Sequence, residues 1–139
     1  MIQLEVVNGI ELMKADGFNP TAFAFPYGKN NGIINDALKP YFKTIRALNG
    51  TKDYAKSVVK TTNNYLLFAF GLDKSSGHTN TEIEKLLEGC KENGDCAIFV
   101  GHDIGTTDKF STTRERLIAI GTQVKTLQLR CYLARELAN

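Results

Sequence analysis

The sequence predicts an α/β fold with a mostly parallel sheet of about five strands and flanking helices. Two observations carry that expectation. Helical and strand-like periodicities alternate along the chain, the pattern of βα units rather than of bundles or sandwiches. The clearest strand, Ala97-Ile98-Phe99-Val100, is an unbroken apolar run, as expected for a strand covered on both faces. A third observation sets the domain count: the 139 residues contain no repeat, linker or low-complexity segment, so residues 1–139 read as a single domain.

The elements follow in order. Ile2, Val6, Ile10, Leu12 and Met13 recur at helical spacing, and Asp16-Gly17 stops that helix. Residues 21–25 alternate and end at Pro26-Tyr27-Gly28, which reads as a first strand. A short helix over 33–38 is broken by Pro40. Residues 42–47 form a second strand and 65–70 a third, the latter ending in Gly71-Leu72-Asp73 and a polar loop holding His78. Thr79 or Asn80 caps a helix whose apolar stripe is Ile83, Leu86, Leu87 and Cys90, with Glu82 and Glu84 near its positive end. Asn93-Gly94 closes it before a strand over 96–100. Thr112 or Thr113 opens a helix with Leu117, Ile118, Ile120 and Val124 facing inward. A last strand over 127–131 and a helical turn over 132–137 complete the expectation. Phe23, Phe25, Phe68, Phe70 and Phe99 are assigned to the core. Five strands cannot close an eight-stranded barrel, so the sheet stays open, pairs with another copy or belongs to something larger.

Composition excludes several classes. A net charge of +2 without a basic run gives no nucleic-acid footprint. The apolar stretches fall far short of the ~20 residues of a membrane helix. Met1-Ile2-Gln3-Leu4-Glu5 shows no signal-peptide pattern, and the compartment stays open. Cys90, Cys96 and Cys131 are too few and too unevenly spaced for a disulfide framework, and no Cys-x-x-Cys pair suggests a metal centre. Cys96 and Cys131 read as small apolar residues in or beside strands.

The chemically suggestive segment is Gly101-His102-Asp103-Ile104-Gly105, at the carboxyl end of the 96–100 strand. Such strand ends hold ligands and catalytic groups in α/β folds. The competing reading is a His bonded to its own loop and an Asp capping the next helix. Arg46, near the end of an apolar strand, either points into a cleft or pairs with Asp73. His78 reads as solvated or as part of a helix cap. A zinc site of His78, His102 and Asp73 or Asp103 can be written down, but zinc demands convergent geometry that spacing does not supply.

Five segments in order resemble the polysaccharide deacetylases: Phe23-Ala-Phe-Pro-Tyr-Gly28, Lys43-Thr-Ile-Arg-Ala47, Gly71-Leu-Asp73 before Ser-Ser-Gly-His-Thr79, Gly101-His-Asp-Ile104, and the closing residues 127–137. The resemblance implies a partial (β/α)-barrel-like fold, matching the C-terminal half of that family's barrel. It implies hydrolysis of N- or O-acetyl groups on a carbohydrate polymer or oligosaccharide. His102 is then the general acid, with Asp103 or Asp73 as its orienting partner. Pro26, Tyr27, Gly28 and Arg46 would bind substrate, with the Tyr27 amide a candidate oxyanion donor. The full-length family uses zinc or another divalent metal, held by an Asp-Asp pair and a His-x-x-x-His pair. Neither occurs here, where His78 and His102 are the only histidines, so no cofactor is expected in this chain and no activity from it alone. The alternative is a non-catalytic carbohydrate-binding module or a self-associating scaffold. A homo-oligomer is expected on either reading, because an open parallel sheet leaves edge strands and apolar surface uncovered.

Overall fold

The computed structural model describes residues 3–48, 58–59 and 65–137. Its centre is a curled, half-barrel parallel sheet of four strands flanked by helices. The strands are β1 (Ala22–Ala24), β2 (Thr44–Leu48), β4 (Leu66–Gly71) and β6 (Phe99–Val100), side by side in that order. Between β2 and β4 the chain also forms β3 (Val58–Val59), which pairs antiparallel with β5 (Cys96–Ala97). A further two-stranded pair, β7 (Asp103–Ile104) with β8 (Ser111–Thr112), projects beyond the end of β6. The helices are α1 (Asn8–Ala15), α2 (Gly32–Leu38), α3 (Asn80–Asn93) and α4 (Arg114–Thr126).

Local sequence explains these boundaries. Asn31 accepts from the Ile34 amide and starts α2. Thr79 and Glu82 form a reciprocal capping box at the head of α3, with Thr79 N donating to Glu82 Oε2 at 2.7 Å and Glu82 N donating to Thr79 Oγ1 at 3.2 Å. Gly94 closes α3 in the left-handed conformation, φ 70°. The predicted stripe of Ile83, Leu86, Leu87 and Cys90 is buried throughout.

Two apolar clusters divide the interior. Ile10, Leu38, Phe42, Ile45 and Ala47 pack around β2, with Phe23 and Phe68 against them. Phe70, Leu72, Ile83, Leu86 and Leu87 pack between β4 and α3, and Leu117, Ile120 and Val124 of α4 lie against them. Burying a side chain such as Leu38 or Ile45 contributes roughly 1.5–3 kcal/mol. Because β2 turns Ile45 and Ala47 toward the first cluster, strand alternation places Thr44, Arg46 and Leu48 on the opposite face.

Four expectations change in detail. The 96–100 run is not one strand: residues 96–97 pair with β3, and the chain switches partner at Ile98 to join β4. Residues 127–131 form no strand. Leu127 caps α4, and Gln128 takes φ 54°. Leu129 N then donates to Val124 O at 2.9 Å and Gln128 N to Lys125 O at 3.1 Å, the double closure of a Schellman turn. Leu127 and Leu129 thus alternate because they seat the helix end on the second cluster, not because they lie on a strand. Cys131 is accordingly exposed rather than strand-packed. Ile118, expected to face inward, is half exposed.

Candidate functional site

The parallel register of Gly71 with Val100 carries the chain ends upward together, so Asp73 and His102 emerge at the same level. Ser76 shapes the first of these ends. Its hydroxyl lies 2.7 Å from Asp73 O and 3.0 Å from Gly71 O, folding the chain back over Gly71. A Cβ on Gly71 would stand 2.8 Å from Ser76 Cβ, so the glycine is required by this turn. Arg116, from the first turn of α4, donates to Leu72 O at 2.7 Å and to Asn80 Oδ1 at 3.0 Å. One guanidinium therefore ties α3, α4 and the end of β4 together beside Asp73.

Asp73 spends both carboxylate oxygens on His102. Oδ2 is 2.5 Å from His102 Nδ1, and Oδ1 accepts from the His102 amide at 3.2 Å. The Asp73 side chain is 5 % exposed and the His102 side chain 58 %. A buried acceptor on Nδ1 fixes the tautomer and turns the opposite nitrogen, Nε2, outward. That arrangement lets His102 take or give a proton at Nε2. Of the two aspartates expected as partner, Asp73 is the one bonded to His102, and Asp103 lies exposed on β7.

The other expected site residues are placed elsewhere. Pro26–Gly28 forms a tight turn at the end of β1, with Gly28 N donating to Phe25 O at 2.9 Å. Tyr27 is 89 % exposed and adopts φ 57°, a left-handed conformation that costs a non-glycine residue about 1–2 kcal/mol. Three strand spacings, roughly 14 Å, separate β1 from β6 and hence Tyr27 from the strand that leads into His102. Arg46 is level with Ala24 and Leu67, six residues before Asp73 on the neighbouring strand, or roughly 20 Å along it. Burial pulls its guanidinium below the ordinary arginine value. The Arg46–Asp73 ion pair is not formed, because the Asp73 carboxylate is committed to His102.

His78 is not solvated. It is buried and stacked on Phe70 with ring centroids 3.8 Å apart, filling space over the end of β4. With His78 in the core and Nδ1 of His102 taken by Asp73, no group of three or more His, Cys, Asp or Glu residues converges among the described residues. The donors present do not fit a zinc centre of the kind the resemblance implies. The Cys90 thiol is pushed up to about 11 by burial, and Cys96 is raised for the same reason, so neither is a ready nucleophile near neutral pH.

Sequence reading missed two participants. Phe110 packs beside His102, ring centroids 5.7 Å apart, and is half exposed. Its only sequence signal was an apolar ring in an otherwise polar loop. Arg116 carried none, since an Arg in a helical first turn resembles any solvated one. The cleft between α3 and α4, walled by Asn80, Leu87, Arg116 and Gln123, contains neither Asp73 nor His102. No protein family, curated protein or solved structure matches this chain.

Proposed function

We propose that this chain supplies the proton-transfer side of a site that hydrolyses acetyl groups on a carbohydrate polymer. One observation carries the reading: a buried aspartate holds Nδ1 of a half-exposed histidine at the carboxyl end of a parallel sheet. Once water has added to the acetyl carbonyl, the protonated imidazole can pass its Nε2 proton to the leaving amine or hydroxyl as the C–N or C–O bond breaks, returning to the neutral Nδ1–H form that Asp73 holds. The resemblance of the segments around Tyr27, Asp73 and His102 to polysaccharide deacetylases supports the substrate class. The strained, exposed Tyr27 supports an extended ligand, because a chain reaching from His102 to Tyr27 crosses more than one sugar ring. Metal ligands and the general base are assigned outside the described residues. The chain alone therefore binds glycan without releasing acetate.

The test is a titration with tetra-N-acetylchitotetraose, followed by amide spectra, alongside an acetate assay with added zinc. The expected result is a set of shifts at His102 and Tyr27 with acetate at the buffer level. Absence of any shift at roughly 5 mM ligand overturns the reading. Catalytic acetate release that survives His102→Gln overturns the role given to that residue.

A separate observation favours self-association. Leu12 (70 % exposed), Met13 and Phe18 (63 %) are exposed apolar residues on or just after α1, and β1 is an end strand of the sheet among the described residues. A homo-oligomer covers this surface, and sedimentation should show a dimer or larger species that Leu12→Glu dissociates. A stable monomer at high concentration ends this second reading.

A further inference from the structure

We infer that Phe110 is the stacking platform for the sugar ring whose substituent meets His102, an inference that rests on the proposed function above. Exposed apolar residues are common and singly mean little. Phe110 differs because of how it is held and what it touches. Its ring lies 5.7 Å from the His102 ring at 59°, so a flat ligand seated on it comes within reach of the outward nitrogen. Its backbone is fixed rather than loose. The Phe110 amide donates to Asp108 Oδ1 at 2.7 Å, and the neighbouring Ser111 hydroxyl, fully buried, donates to Asp108 O at 2.6 Å. The loop is also tied to the turn that carries Asp73. Ser75 N donates to Lys109 O at 2.8 Å, and Lys74 Nζ donates to Thr106 O. The same short segment therefore orients the aspartate of the pair and the loop bearing the aromatic ring.

The rest of the surroundings suits a neutral, ring-shaped partner. Ile104, on β7 two residues after His102, is 63 % exposed and adds apolar surface at this end of the chain. The charges nearby are mixed: Lys74 and Lys109 against Asp103 and Asp108, with Lys109 Nζ lying 5.0 Å over the Phe110 ring itself. No single sign dominates, and with one face of the ring under the Lys109 ammonium, recognition falls to the C–H face of a pyranose on the other face.

Tetra-N-acetylchitotetraose affinity, measured by calorimetry on the full chain, decides the point. Phe110→Leu keeps apolar bulk but loses the aromatic face, and should weaken binding about tenfold, as should Phe110→Ala. Phe110→Tyr should stay within about twofold of the parent. Amide spectra of each variant must retain the parent's dispersion, which the half-exposed position of Phe110 favours. A parent that binds while Phe110→Leu and Phe110→Ala bind equally well overturns this inference and leaves the proposed function standing. A parent that does not bind overturns both.

Discussion

Gly28 and Gly101 both follow a strand of the same parallel sheet, and both belong to segments that suggested a sugar site, yet the structure uses them differently. At Gly28 a Cβ would stand 2.3–2.7 Å from Leu48, and the backbone sits at φ 66°. At Gly101 the nearest atoms to such a Cβ are Asp73 Oδ1 at 3.5 Å and Thr112 Cγ2 at 3.8 Å, ordinary contact distances. The Pro-Tyr-Gly turn needs its glycine to lie flat on β2. The Gly-His strand end does not need its glycine to pack; its special feature is the Asp73–His102 pair. A motif's glycine thus reports a packing constraint in one place and leaves the chemistry to its neighbours in the other.

The largest expected effect tests that contrast directly. Gly28→Ala must overcome both the left-handed backbone and the overlap with Leu48, and should destabilise the fold by about 3 kcal/mol or more in chemical denaturation. Gly101→Ala should cost less than about 1 kcal/mol and leave the His102 imidazole resonances in place. Equal losses would erase the distinction.

Next in size is the scaffold behind the pair. Arg116→Met leaves the buried Leu72 carbonyl without its guanidinium donor and frees Asn80, for an expected loss of about 2 kcal/mol. If Arg116 also positions Asp73, the His102 Nδ1 proton resonance should broaden or move in this variant. An unchanged resonance with lowered stability would make Arg116 a brace for the helices alone.

Asp73→Asn should cost about 1–2 kcal/mol but change the chemistry more than the fold. An amide can donate to Nδ1, so the proton moves to Nε2 and the outward nitrogen can no longer accept one. Imidazole ¹⁵N shifts should report the exchanged tautomer. Retention of the Nδ1–H form would show that the carboxylate does not set it.

These contrasts also mark what the residues alone disclosed. The α/β class and the strand ends at Gly71 and Val100 were legible, because apolar runs and caps such as Thr79 act locally. The choice of Asp73 over Asp103 was not, since it depends on a register between β4 and β6 separated by 29 residues of chain. His78 misled because a Ser, Gly and Thr setting looks solvated while the Phe70 ring waits beneath it. Leu127 and Leu129 misled for a related reason: a two-residue apolar spacing fits a strand, but it equally fits a helix end folding back on its core.

The smallest expected effect sharpens that last point. Two helices end in the same double closure. After α1, Gly17 occupies the left-handed position at φ 87°, with Phe18 N donating to Met13 O. After α4, Gln128 occupies it at φ 54°, with Leu129 N donating to Val124 O. A side chain in that conformation costs about 1 kcal/mol relative to glycine, partly offset by the greater freedom glycine has when unfolded. Gln128→Gly should therefore stabilise the chain by about 0.5 kcal/mol in denaturant titration, and Gly17→Gln should destabilise it by a similar amount. If Gln128→Gly instead destabilises, the Gln128 side chain contributes more to this helix end than its left-handed backbone costs.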